Sequence, residues 1–341
     1  MRRLRVLLLI HDYLVPPDDV QGVDTTMQPW RTEYDVLKTL RDDLKHDVRV
    51  LGCTDELTPI KQAAEEFKPH IVFNLLEAFH EVGTYDQNVV SYLELLRLPY
   101  TGFNPRGMIL ARDKSLSKKL LQYHRISVPE FAVARRGRKF KLPKRMTYPV
   151  IVKSLTEEAS IGISQASVVE DERRLLERIE FIHESIKTDA IVEQYIEGRE
   201  LYCGLVGNER LQVFPIWEMF FEKMTDRNYR IATSRVKWSS KYQEKAGIMT
   251  GAAESLPEGV REKLPAMCKR VYRALMLSGY ARIDMRLDEQ GRVWVIEANP
   301  NPQIANGEDF ARSADMADIS YPQLMQRILT AGLRWEPEIN R

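Results

Sequence analysis

Residues Gly279–Gln303, GYARIDMRLDEQGRVWVIEANPNPQ, alternate apolar and polar side chains on both sides of a turn. Ala281, Ile283, Met285 and Leu287 alternate with Arg282, Asp284, Arg286 and Asp288, the period-two pattern of a strand with one buried and one polar face. Asp288–Gly291 reads as a turn. Arg292–Asn299, rich in Val, Ile and Trp, reads as the returning strand, with Trp294, Ile296 and Ala298 on one side and Val295, Glu297 and Asn299 on the other. A two-residue loop at Glu289–Gln290 or Gln290–Gly291 makes cross-strand partner numbers sum to an odd value, which gathers Arg282, Asp284, Glu297 and Asn299 on one face. A three-residue loop would face Asp284 with Ile296 and is disfavoured here.

Two acids with no cation between them repel each other, so a face that collects two carboxylates and a carboxamide needs a reason. Mg2+ supplies one: it takes hard oxygen ligands, prefers few protein carboxylates, and completes its octahedron with water and substrate phosphates. The plainer alternative is an exposed sheet face with an Arg–Glu pair. The apolar opposite face and the ending Glu297-Ala298-Asn299-Pro300-Asn301-Pro302 favour a nucleotide–metal site at Asp284, Glu297 and Asn299.

ARIDMRLD…VWVIEANPNP resembles the C-terminal metal motif of ATP-grasp enzymes, and the whole chain resembles the D-alanine–D-alanine ligase branch of that superfamily. The resemblance implies an α/β chain with α+β lobes: an ATP-grasp fold with an N-terminal open parallel α/β domain, divided into residues 1–105, a central lobe 106–196 and a C-terminal lobe 197–341. It implies ATP and two Mg2+ ions, with Mn2+ an acceptable substitute. It also implies small-molecule carboxylate and amine substrates, no nucleic acid, no membrane, and room for a homodimer.

The 341 residues, 44% of them hydrophobic, suit two or three compact units. A net charge of +1 leaves no electrostatic footprint for nucleic acid. Cys53, Cys203 and Cys268 are odd in number and far apart, as expected of buried thiols. Arg2–Arg5 before Val6–Ile10 mimics a signal peptide, but Asp12 stops an apolar run too short for one, so the expected location is the cytoplasm.

Val6–Ile10, Val48–Leu51 and Ile71–Phe73 read as parallel buried strands, with helices at Glu33–Leu44 and Pro59–Phe67 between them. No Gly-x-Gly-x-x-Gly follows the first strand, so dinucleotide binding in the usual manner is not supported. Ligands of open sheets bind beyond the carboxyl ends of the strands, which makes His11–Arg31 a candidate substrate wall. Glu33 sits at a helix start, where a carboxylate is favoured in any case; the resemblance makes it the group that holds the first substrate's amino group. Asn74–Asp86, with Glu77, His80 and Glu81, corresponds to a substrate-facing loop, and Leu98-Pro99-Tyr100-Thr101-Gly102 is reminiscent of the family's first-domain end.

Asp113-Lys114-Ser115-Leu116-Ser117-Lys118 opens a helix in which Lys114 matches the family's first nucleotide lysine, although lysines on such a helix are usually solvated. Tyr148–Lys153 is an apolar strand ending in Lys153, a costly place for a lysine unless it meets an anion such as phosphate. Ser160-Ile161-Gly162-Ile163-Ser164 resembles the loop over the phosphates, with Ser160 in a catalytic position. Where the ligases have Gly-Ser-Ser, this chain has Glu158-Ala159-Ser160, and Ala159 cannot replace a hydrogen-bonding serine. Glu157 and Glu158 put negative charge near phosphates, or face a cationic substrate. Ile191–Arg199 reads as strand and turn before a strand at Leu201–Val206. The resemblance implies adenine held by backbone near Tyr195 and Ile196 with Glu193 as the acid, and ribose at Glu200.

Trp217–Ser255 interleaves Lys223, Arg227, Arg230, Arg235, Lys237, Lys241 and Lys245 with aromatics. Such interleaving can serve single-stranded nucleic acid, but the position favours a lid over ATP, with Lys237 on the γ-phosphate and Trp238 in place of the family's tyrosine. A helix at Gly259–Leu277 leads back to the hairpin. Gln303 replaces a glycine, and Glu308-Asp309 stand where the D-alanine enzymes bind the second substrate's carboxylate, which an acid would repel.

The expected reaction is ATP-dependent amide formation through an acyl phosphate, with Arg282 stabilising the tetrahedral oxyanion and with substrates other than two D-alanines, the amine being larger or carrying an added positive charge. The alternatives are a true D-alanine–D-alanine ligase of cell-wall synthesis and an ATP-binding module without catalysis.

Overall fold

Strand β1 (Arg5–His11) is an unbroken apolar run whose residues from Val6 to Ile10 are fully buried, as a strand covered on both faces must be. The structure is a computed structural model describing residues 3–158, 160–224, 229–233, 235–236 and 239–337. Ala159, Arg227, Lys237 and Trp238 lie outside the described residues. β1 pairs in parallel with β2 (Asp47–Cys53) and β3 (Ile71–Asn74) in the order β2-β1-β3. Helices Arg31–Lys38 and Thr58–Phe67 make the crossovers.

Four antiparallel strands follow, β4 (Phe131–Ala134), β5 (Val150–Ser154), β6 (Val168–Val169) and β7 (Ala190–Gln194), in the order β4-β7-β5-β6. The third sheet holds β8 (Arg199–Val206), β9 (Gln212–Val213), β10 (Trp217–Phe221), β11 (Ile248–Ala252), β12 (Tyr280–Leu287) and β13 (Val293–Pro300). Its order is β11-β10-β8-β12-β13, with β9 added to β8. The stretch Trp217–Ser255, expected as one long lid, contains regular structure: β10, helix Ser240–Ala246 and β11 lie within it.

The β12–β13 hairpin corrects the expected turn and keeps the expected pairing. The Asp288 N–H donates to the Arg292 carbonyl at 3.0 Å, closing a three-residue loop with Gly291 at φ 74°, a conformation that glycine adopts without a Cβ penalty. Leu287 faces Val293 and Met285 faces Val295, even sums that on their own would set Asp284 against Ile296. A β-bulge intervenes between Asp284 and Met285; Ile296 stays unpaired, and Asp284 faces Glu297 while Arg282 faces Asn299. The bulge also turns Val295 into the core at 0% exposure, so Val295 does not share a face with Glu297 as simple alternation predicts.

The C-terminal helix Tyr321–Leu333 opens on a Ser320/Gln323 capping box. It buries Leu324, Met325, Ile328 and Leu329 against Val6, Leu8, Ile10 and Phe73, each worth about 1.5–3 kcal/mol of apolar burial. The end of the chain thus covers a face of the first sheet.

Candidate active site

A cleft between the second and third sheets is lined by Lys153, Ser160, Glu193, Tyr195, Ile196, Glu200, Asp284, Arg286, Ile296 and Glu297, among others. Most of these positions were singled out in the sequence, and the fold brings them together.

The lysines are buried, contrary to the solvated default. Asp113 caps helix Lys114–Tyr123 by accepting from the Ser115 and Leu116 N–H groups, which points Lys114 inward. Lys114 Nζ donates to the Glu157 carbonyl at 2.6 Å and lies 4.0 Å from Glu297 Oε2. One turn later Lys118, only 1% exposed, donates to the Ile296 carbonyl at 2.6 Å. That carbonyl belongs to the bulged residue outside the β12–β13 register. Lys118 and Lys153 share Glu193, at 3.3 and 3.0 Å. Burial alone would push the Glu193 carboxyl up, but the two ammonium groups outweigh it and hold the carboxyl below its usual range. Burial pulls Lys118 down, whereas Glu193 and Glu297 keep Lys153 raised against the same burial. With two ammoniums on one carboxylate, the cluster has positive charge to spare for an anion.

Lys118 had no role in the sequence reading. Its i+4 spacing from Lys114 was the available signal, since such residues share a helix face.

On β12, Arg282 binds Asp284 through two hydrogen bonds of 2.7 and 2.9 Å and lies over the Tyr202 ring. Asp284 keeps capacity for a hard cation, because a carboxylate has about four lone-pair sites and the guanidinium uses two. Asn299 Nδ2 lies 3.5 Å from the Arg282 carbonyl. Asp284 and Glu297 are cross-strand partners, Asn299 stands two residues further along β13, and all three carry the hard oxygen donors that Mg2+ takes. Among the described residues no cluster of three or more His, Cys, Asp or Glu side chains could hold a metal ion, so the carboxamide is needed to complete any such set.

Arg286, also without an assigned role in the sequence reading, is 5% exposed and binds Glu200 at 2.8 Å, the Gly198 carbonyl at 3.0 Å and the Arg230 carbonyl. Glu200 receives the Tyr202 hydroxyl as well, at 2.8 Å, so both of its oxygens are engaged. The Tyr195 N–H is committed to the Pro149 carbonyl at 3.2 Å, which leaves that residue its carbonyl and ring to offer a base. Ser160, in a left-handed conformation at φ 60°, donates to the Ala232 carbonyl at 2.7 Å. With Gln165, which exchanges hydrogen bonds with the Tyr229 backbone, and with Arg286, it holds the segment 229–233 at the cleft.

Glu33 follows β1 in the first crossover helix, and Glu77 follows β3. Glu33 is 5% exposed, and its Oε2 has no hydrogen-bond partner. Burial, with Glu77 nearby, pushes its carboxyl up to about 7. Glu158 pairs with Arg112 at 3.6 Å, and Arg112 also binds Asp86. His80 and Glu81 are exposed, and the His80 ring stands edge-on to Phe79.

Glu308 and Asp309 both have partners within the fold. Glu308 pairs with Arg31 at 2.7 Å, and Asp309 accepts from Trp217 Nε1 at 3.0 Å and Thr250 Oγ1 at 2.5 Å. Both acids join elements: Glu308 is paired with a guanidinium, whereas Asp309 has neutral donors and keeps its negative charge.

The sequence model of the family described as "D-ala D-ala ligase C-terminus" matches residues 120–330. An uncharacterized protein of Sinorhizobium fredii, y4sG, is 31% identical over 269 residues, spanning 77% of this chain and 75% of its own. The D-alanine–D-alanine ligase of Desulfotalea psychrophila is 29% identical over 280 residues, 80% of each chain. The crystal structure of the Bacillus anthracis D-alanine–D-alanine ligase complexed with ATP superimposes with a TM-score of 0.74 at 23% identity, covering 98% of both chains, a likeness of fold. No helix among the described residues is long and apolar enough to cross a membrane.

Proposed function

This chain belongs to the D-alanine–D-alanine ligase family of ATP-grasp enzymes, and from that premise we propose that it joins a carboxylate to an amine other than in the pair of two D-alanines, using ATP and forming an acyl phosphate on the way. The observation that carries the reading is the register of the bulged hairpin, which sets Asp284 against Glu297 in a cleft also lined by the buried Lys153.

In this reading a substrate carboxylate oxygen attacks the γ-phosphorus of ATP and the bond to ADP breaks. The amine then attacks the acyl carbon, loses a proton, and phosphate leaves. Lys114, Lys118 and Lys153, with Lys237, balance phosphate charge. Arg282 stabilises the tetrahedral oxyanion, an electrostatic role worth on the order of 3 kcal/mol of barrier. Asp284, Glu297 and Asn299 would hold Mg2+, which when bound neutralises phosphate oxygens. Tyr195 and Ile196 border the base, Glu193 organises the lysines beside it, and Glu200 with Arg286 borders the ribose. Residues 1–105, 106–196 and 197–341 act as the three units around this cleft.

The departures from a D-alanine pocket that still support this reading are Glu158, Ala159 and Trp238. Phosphate release with D-alanine as the only amino acid, under Mg-ATP, tests it. Turnover at ordinary enzymic rates with D-alanyl-D-alanine as product would return the chain to the D-alanine reaction. Slow or absent release, with release restored by another acid and amine, is the expected result.

A further inference from the structure

Several acids converge beyond the carboxyl ends of β1 and β3 from separate elements: Glu33 at a helix start, Glu77 after β3, Asp86 at the start of helix Asp86–Leu95, and Glu158 after β5. They feel one another. Glu77 acts on Glu33, Glu158 acts on Glu77, and both act on Asp86. Arg112, at the end of helix Pro105–Arg112, is the cation that Glu77, Asp86 and Glu158 share, and Lys114 also acts on Glu158.

One guanidinium does not balance four carboxyls. Burial and mutual repulsion accordingly push Asp86 up to about 7 despite Arg112. Glu77 reaches solvent, yet the protein packed on its other sides, with Glu158, holds its carboxyl above the usual range. Independently of the cluster, Glu33 is over nine-tenths buried with Oε2 lacking any partner, and it faces the Glu77 side. A buried carboxylate oxygen without a donor is costly, and a ligand ammonium repairs it. The acids are too dispersed for one metal ion, since no three of them form a metal-sized group among the described residues. Spread negative charge with an orphaned acceptor at one end fits a ligand whose positive charges are themselves spread.

We propose that the space between Glu33 and Glu158 binds a substrate with two ammonium groups, of the class of basic amino acids and diamines, one group on Glu33 and the other on Glu77 and Glu158. This rests on the ligase reading for what happens next, but not for binding itself. The ammonium at Glu33 anchors the molecule, and the second one replaces the repulsion between Glu77 and Glu158 with attraction. Neutral side chains gain nothing there and leave the acids unpaired.

Calorimetry on the full chain, with Mg2+ and a non-hydrolysable ATP analogue, compares ornithine with norleucine, in which a methyl stands for the second ammonium, using both enantiomers. 1,4-Diaminobutane against 1-aminobutane separates a diamine from an amino acid. The expected result is that the dicationic member of at least one pair binds about tenfold more tightly or better, and that added salt narrows the gap. Glu158→Gln and Glu77→Gln should each remove most of that preference without weakening norleucine. Equal binding within both pairs, no binding by any of the four compounds, or a preference untouched in folded variants overturns the proposal. If the variants do not fold, the wild-type pairs at low and high salt decide it. Dicationic binding with no ADP release on any acid–amine panel would leave this site standing and sink the ligase reading instead.

Discussion

Arg31 and Glu308, 277 residues apart, form an ion pair of 2.7 Å that ties the first crossover helix to the loop after the β12–β13 hairpin. The Arg31 guanidinium also donates to the Asn306 carbonyl at 2.6 Å, and Asp35 accepts from the Asn306 N–H at 2.9 Å. Thr32 adds a bond of 2.6 Å to Gln303. Glu308 is thereby part of a latch between distant parts of the chain. Because both members of the ion pair are partly exposed, Arg31→Ala should cost no more than about 1 kcal/mol of stability. Its larger effect should be on the KM for the second substrate, with the KM for ATP held. A change confined to ATP would show that the latch does not shape the substrate end.

Glu297→Gln keeps the shape of the carboxylate proposed to hold Mg2+ and removes its charge. The expected outcome is an intact fold by circular dichroism and loss of Mg2+-dependent ADP release by about two orders of magnitude or more, the scale of a lost electrostatic contact in the transition state. Turnover equal to wild type would mean that Asp284 and Glu297 face each other for some other reason.

The shared carboxylate predicts an asymmetry in stability. Glu193→Ala strands two buried ammonium groups and should cost about 3–5 kcal/mol, read from denaturant midpoints. Lys118→Met leaves Glu193 with Lys153 as a one-to-one pair and should cost clearly less. If Lys118→Met were the more damaging change, the surplus charge would lie elsewhere.

The raised carboxyl of Glu33 carries a pH signature. Its folded value of about 7 stands above the ordinary 4.5, so between those values the native state holds a proton that the unfolded chain has released. The native state then binds more protons, and stability falls as pH rises from about 4.5 to about 7, with the full penalty remaining above that. Glu33→Gln should flatten this slope and gain most relative to wild type near pH 8, as thermal melts across the range would read. A variant that lost stability equally at every pH would place the proton on another group.

Much of this protein could be read from order along the chain. The apolar run Val6–Ile10 declared a two-sided buried strand, because nothing but parallel neighbours on both edges and cover on both faces suits it. Alternation in Ala281–Leu287 declared a one-sided strand, and the pairing of Asp284 with Glu297 followed from the expected hairpin, since those are properties of local geometry. Tertiary structure settled what depends on distant partners. Period two cannot count an unpaired residue, so only packing revealed that a bulge at Ile296 compensates for a longer turn and sends Val295 to the core. A lysine reads as solvated until the anion that meets it is known, and Glu193 lies 75 residues from Lys118 by sequence number yet 3.3 Å away in space. The charge of Glu308 was plain in the sequence, but its effect was not, because electrostatic consequence follows the neighbour, and that neighbour, Arg31, comes from the other end of the chain.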